Sequence, residues 1–166
     1  MKFGKSISTV AAGLTAIGLA GLASSGAQAA SDTGTANATI VQAIGITAVN
    51  TLEFGDILNG AANTVTISPA SVQSATDGTQ LIGGTVQAAS FDVTGDPSRA
   101  YTVTLPASTT VTGPGPAMTV NNFTHNSGGA LGVAGTDTFN VGADLIVANG
   151  QTAGAYTGTF TVTVNY

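Results

Sequence analysis

Cysteine and tryptophan are absent from the 166 residues, and charge is scarce: Asp, Glu, Lys and Arg make up 7% of the chain, with three bases against eight acids and a single His. Without cysteine there is no disulfide scaffold, no thiolate metal site and no cysteine nucleophile. A net charge of −5 opposes the phosphate neutralisation that dominates nucleic-acid affinity, which argues against DNA or RNA as a partner. Past residue 30 no segment repeats apolar residues at i, i+3, i+4 and i+7 over a useful length, so a helical domain is excluded. There is no repeat unit of fixed period either. Few charges need not mean disorder, because 43% of the residues are hydrophobic and the mean hydropathy is +0.35. The length fits one packed domain.

The chain opens with the basic stretch Met1-Lys2-Phe3-Gly4-Lys5, followed by an apolar run from Val10 to Ala23 and the small-residue site Ala27-Gln28-Ala29. This is the pattern of a cleaved signal peptide over residues 1–29. The apolar run is short of the roughly 20 residues that a spanning helix needs, and no basic stop-transfer flank follows it. Cleavage would leave a chain from Ala30 with Arg99 as its one base against the same eight acids, a net charge of −7. The absence of a following cysteine excludes a lipoprotein tether. The expected location is the periplasm in transit, then the cell surface or the medium.

Beyond Ala30 the texture is Thr, Val, Ala, Gly and Asn, with apolar residues spaced by two. The alternation is explicit in Leu52-Glu53-Phe54, Val65-Thr66-Ile67, Phe91-Asp92-Val93, Tyr101 to Leu105, Met118-Thr119-Val120 and Phe139-Asn140-Val141. Each run can put one face on a core and the other in water. Turn chemistry separates them at Asn59-Gly60, Asp77-Gly78, Gly83-Gly84, Thr94 to Pro97, Gly113 to Pro116, Asn126 to Gly129 and Asn149-Gly150. Strands at this spacing predict an all-β fold, an immunoglobulin-like β-sandwich, with a barrel as the other architecture the pattern allows.

Both ends of the exported chain alternate at length. Ala36, Ala38, Ile40, Gln42, Ile44, Ile46 and Ala48 share one face of a run that, fully extended, would reach about 40 Å. It divides into either two strands or a tail and one strand. At the other end Tyr156, Phe160, Val162, Val164 and Tyr166 share a face, with Thr on the opposite one. Either these strands complete the domain's own sandwich, or an edge strand presents unpaired N–H and C=O groups to another chain.

The signal peptide, the Ala/Ile-rich tail leading into Leu52-Glu53-Phe54-Gly55-Asp56-Ile57, the strand Thr64 to Pro69, the segment Ala89 to Gly95 and the closing Gly154 to Tyr166 resemble a family of secreted bacterial domains of unknown function. That family is related to the spore-coat U-type pilins of the archaic chaperone-usher systems. The resemblance implies an incomplete immunoglobulin-like sandwich, completed by donor-strand exchange in a pilus-like fibre. Its partners would be a periplasmic chaperone, an outer-membrane usher, and other copies of itself or related subunits. In that scheme residues 30–42 are an N-terminal extension and 43–166 the sandwich domain; Ala36, Ala38 and Ile40 are the donor residues, and Tyr156, Phe160, Val162, Val164 and Tyr166 form the closing strand with which the chaperone or a subunit pairs. The carboxylate after Tyr166 would be gripped by basic residues of the chaperone. The sequence departs from better-known subunits in lacking a cysteine pair and in placing its final aromatic at position 166 itself.

Catalysis has little to stand on. His125 lies in an Asn- and Gly-rich stretch, and neither a Gly-x-Ser-x-Gly elbow nor a His-Glu-x-x-His helix occurs. Asp92 and Asp96 flank a Gly turn ahead of Pro97 and Arg99, which fits a local ion pair better than a pair of glycosidase carboxylates. Gly128-Gly129-Ala130-Leu131-Gly132 does not sustain a calcium-binding repeat. No catalytic, cofactor or metal residue is expected, and the protein is not expected to be an enzyme. A structural fibre subunit is the expected function. The alternative is a self-contained secreted binding or adhesion module, for which the lack of tryptophan leaves a poor aromatic platform.

Overall fold

The structure is a computed structural model and describes residues 29–166; the expected signal peptide falls almost entirely outside them. The chain divides into a unit ending at Ala38 and a unit from Thr39 to Tyr166, so the division comes four residues ahead of the boundary expected at 42. Residues 29–38 are exposed and carry no regular secondary structure.

The second unit is all-β. Its strands are β1 (Gly45–Asn50), β2 (Glu53–Ile57), β3 (Asn63–Ile67), β4 (Gln73–Ala75), β5 (Leu81–Gln87), β6 (Ala89–Thr94), β7 (Thr102–Thr104), β8 (Ser108–Val111), β9 (Met118–His125), β10 (Thr136–Val147) and β11 (Thr163–Asn165). One turn of 3-10 helix, Gly78–Gln80, precedes β5. Asp77 caps it: its Oδ1 accepts from the Thr79 hydroxyl at 2.6 Å and the Thr79 N–H at 2.9 Å. The Thr79 hydroxyl, and after it the Gln80 side chain, hold this carboxyl below its ordinary range.

β10 organises the main sheet, which is antiparallel and has seven strands. Along one edge its first half, Thr136 to Val141, pairs with β6 and its second half, Ala143 to Val147, pairs with β3. Its other edge carries β9, followed by β8. β1 lies outside β6, and β4 outside β3. The handover from β6 to β3 falls at Gly142, where a Cβ would collide with the Ile67 carbonyl oxygen and the Ser68–Pro69 backbone. Only glycine lets the backbones approach so closely. Across the strand the β9–β10 register shifts by one residue, and Asn122 takes a φ of 51° while its amide donates to Asp144 Oδ2 at 2.9 Å. Asn tolerates the left-handed region, and this is bulge chemistry.

The alternation expected from the sequence survives in this sheet. Val65, Ile67, Val93, Phe139 and Val141 point inward and are at most 1% exposed, while Thr66, Asp92, Thr138 and Asp144 form outward polar ties. Two short sheets, β7–β11 and β2–β5, complete the sandwich-like layering. Val103 and Val164 pack against Ala89, Val93, Phe139 and Val141, and Phe54 and Ile57 against Met118, Leu145 and Val147.

Two expectations need correction. Gly83-Gly84 is not a turn between strands: it sits inside β5, where both residues take positive φ, and a Cβ on Gly84 would strike Asp56. β2 bulges opposite it, with Gly55 at φ +77°. The long closing strand is also shorter than its alternation suggests, because only Thr163–Asn165 of the stretch from Tyr156 is laddered. The run from Ala36 to Ala48 resolves into a tail and one strand.

Candidate functional site

A groove of about 950 Å³ opens along the inner face of the main sheet. Its floor is apolar and drawn from four strands: Phe91 of β6, Val111 of β8, Val120 of β9, and Leu145 and Val147 of β10. Period-2 alternation puts these residues on one face, so the floor follows directly from the strand pattern. One wall is the β1–β2 segment, with Leu52, Phe54 and Ile57; the other is the C-terminal segment, with Tyr156, Gly158 and Phe160. A second pocket, about 160 Å³ beside Asn63, Thr76 and Ile146, is a shallow surface dent.

The C-terminal wall is held at both ends and unpaired between them. At its start Gln151, 6% exposed, donates through Nε2 to the Pro116 carbonyl at 2.6 Å and to the Tyr156 hydroxyl at 2.9 Å. The Tyr156 hydroxyl in turn donates to the Thr152 carbonyl at 2.8 Å. Thr157 exchanges both backbone hydrogen bonds with Thr112, and β11 is laddered to β7. From Gly158 to Thr161 no backbone group pairs with another backbone group among the described residues; the Thr159 carbonyl accepts only the Thr109 hydroxyl, at 2.7 Å. The side chains still alternate, with Phe160 and Val162 half-buried, Val164 buried and the threonines exposed. Phe160 is fixed by Phe123, 5.0 Å away between centroids, and by Phe91, edge-on at 6.2 Å. In an extended segment alternate residues turn their N–H and C=O groups to opposite sides. With Thr157 directed at β8, Gly158 and Phe160 present theirs to the groove.

Of the residues expected to act as donors, Ala36 and Ala38 lie in the exposed stretch 29–38. Ile40, in the second unit, is 97% exposed, an unusual position for a large aliphatic side chain. The residues expected in the closing strand are brought together as far as Val164. Tyr166 departs from that face: its ring lies over the turn Gly95–Arg99 and is 41% exposed. The sequence reading named Phe91 and Leu52 only as parts of strands, and missed Gln151 and Leu145 as groove residues. Only the alternation of β10 hinted at Leu145, and nothing local marks Gln151.

The rim carries Glu53 and Asp56 and no base. Among the described residues no three His, Cys, Asp or Glu side chains are grouped to hold a metal ion. The closest approach to a catalytic constellation lies elsewhere. Tyr101, 3% exposed, donates to Asp137 Oδ2 at 2.7 Å and meets the Ser127 hydroxyl at 2.7 Å. Burial, and then Asp137, push the Tyr101 phenol up to about 12. His125 Nδ1 accepts the Ser127 backbone N–H at 3.2 Å, not its hydroxyl, so no base is set on that oxygen. The cluster ties the loop after β9 to the start of β10.

Residues 44–166 match the sequence profile of a family described as a domain of unknown function, DUF4402, and the chain belongs to that family. No curated protein and no solved structure matches the chain.

Proposed function

We propose that the protein is a structural subunit of a cell-surface fibre, in which the groove of one copy receives an extended segment from the next. The observation that carries this reading is the pairing of an apolar floor with a wall whose backbone from Gly158 to Thr161 has no backbone partner. An unpaired backbone edge beside an open apolar face is a template for strand addition, and an added strand would pair the one and cover the other. The occupant of suitable chemistry is the extension of another copy, residues 30–42, in which Ala36, Ala38 and Ile40 lie on one face and Ile40 is exposed where it stands. Donation from one copy to the next is a heterologous contact that does not close on itself, so it grows a fibre.

The proposal extends to kinship with the spore-coat U-type pilins of the archaic chaperone-usher systems. It includes export through a cleaved signal peptide, periplasmic capping of the groove by a chaperone, passage through an outer-membrane usher, and display at the cell surface. The test is urea unfolding, with sizing, of the chain from Ala30 against a version in which residues 31–42 follow Tyr166 through a short flexible linker. A weakly stable or polymerising parent and a stable monomeric rearrangement support strand addition. Two equally stable monomers overturn it in favour of a self-contained secreted module.

A further inference from the structure

A subunit that carries both a donor segment and an acceptor groove faces competition from itself. A donor tethered by a short flexible link has an effective concentration in the millimolar range for its own groove, and that concentration falls to near zero only if geometry forbids the approach. In this chain β1 forms part of the groove wall, through Ala48 and Asn50. To enter its own groove the extension would have to double back beside β1, reversing within the few residues before Gly45. Ile44 is packed on the core, which leaves Gln42 and Ala43 as the pivot.

That pivot is occupied. The Tyr166 hydroxyl donates to the Gln42 carbonyl at 2.9 Å and accepts the Asp96 N–H at 2.5 Å. The Arg99 guanidinium lies 4.8 Å from the centre of the Tyr166 ring, and Arg99 is itself held by Asp96 at 3.6 Å. Gly95 leaves space for the phenol that no other residue would, since a Cβ there would overlap the hydroxyl. The Gln42 carbonyl is thus fixed to the turn after β6, at the end of the domain where β1 begins opposite Thr94.

We infer that Tyr166 is a positioning residue that, by holding the Gln42 carbonyl on the Asp96 turn, prevents the extension from folding back into its own groove and directs it to a second copy. This rests on the proposed strand exchange. Two variants of the exported protein test it: Tyr166→Phe removes the hydroxyl and keeps the ring, and Gly95→Ala keeps the phenol and displaces it. Each is sized across a concentration series, and amide hydrogen exchange is read in the monomeric fraction. Expected is about a tenfold rise in closed monomer, the ratio carried by one or two hydrogen bonds of this kind. In that monomer Thr39 to Val41 and Gly158 to Val162 gain protection together, while Val103 and Val164 keep theirs and report an intact fold. A polymerising wild type with variants that polymerise equally, and show no new protection at Thr39 to Val41, overturns the role of Tyr166 alone. A wild type that neither polymerises nor binds an added peptide of residues 31–42 overturns the strand-exchange reading, and this inference with it.

Discussion

Thr157 and Thr112 exchange both of their backbone hydrogen bonds, at 2.8 and 2.9 Å, while Thr163, six residues further on, stands opposite Thr104, eight residues back. The strand pair therefore spends two more residues on the β7–β8 side than on the C-terminal side. Pro106 lies within that excess, with no N–H to offer and a restricted residue before it. The two backbones part between these anchor points, which leaves Thr159 and Thr161 without a backbone partner on the β8 side, while Gly158 and Phe160 face the other way, toward the groove.

The opening is shaped by side chains as well as backbone, and Phe160 is the central one. Truncation to Ala removes its contacts with Phe91 and Phe123. The expected loss is about 2 kcal/mol in urea unfolding, below the 3 to 5 typical of a buried phenylalanine because this ring is only half-buried.

Gly142 predicts a larger effect from a smaller change. Its missing Cβ accommodates the Ile67 carbonyl and the Ser68–Pro69 corner, all backbone that cannot rotate away. Gly142→Ala is expected to cost about 3 kcal/mol, read as a lowered urea midpoint, with the β3–β10 amides losing exchange protection first.

Tyr101 sets the alkaline limit. Its folded value of about 12 lies above the ordinary 10. A raised value means stability fully present below pH 10 and lost as pH climbs through 12. Tyr101→Phe is expected to destabilise at neutral pH by about 1 to 2 kcal/mol, since Asp137 and Ser127 lose their partner, and to flatten the decline between pH 10 and 12. Asp77 acts on the acid side with the opposite sign: its depressed carboxyl stabilises above the ordinary value of 3.8 and ceases to do so as pH falls below it. Thermal unfolding across pH 2 to 12 checks both arms.

Beyond the proposed signal peptide Arg99 is the one lysine or arginine in the sequence. Trypsin acting on the urea-unfolded exported chain is expected to yield two fragments, 30–99 and 100–166, and the mass of the first reports the processing site. Native protein should be cut far more slowly, because Ser98 N–H is bound to the Gly132 carbonyl and Leu131 N–H to that of Arg99.

The strands that face the core were legible because alternate Cβ atoms leave opposite faces, so Val65, Phe91, Phe139 and Val141 betray their surroundings within three residues. Pairing was less legible. From Tyr156 to Val162 the side chains alternate as a strand's should, but the pairing that lapses after Thr157 and resumes at Thr163 is set by Thr112 and Thr104, far earlier in the chain. β8 escaped notice because Ser108-Thr109-Thr110-Val111 offers no large apolar residue until its end. Gly83-Gly84 reads locally as a turn, and only the bulge in β2 explains two glycines inside a strand. The hold of Tyr166 joins groups 70 and 124 residues apart, a distance across which periodicity carries no information.

The antiparallel ladder between β1 and β6 also decides how the domain answers to tension. A pull on the extension arrives at Gln42 and runs along β1, parallel to the strand axis and perpendicular to the hydrogen bonds from Gly45–Thr94 to Asn50–Ser90. Those bonds are loaded in shear, so they yield together and not one after another as in unzipping. β6 hands the load across its other edge to β10, the longest strand of the domain, which makes the line from extension to β10 the mechanically stiff axis of the molecule.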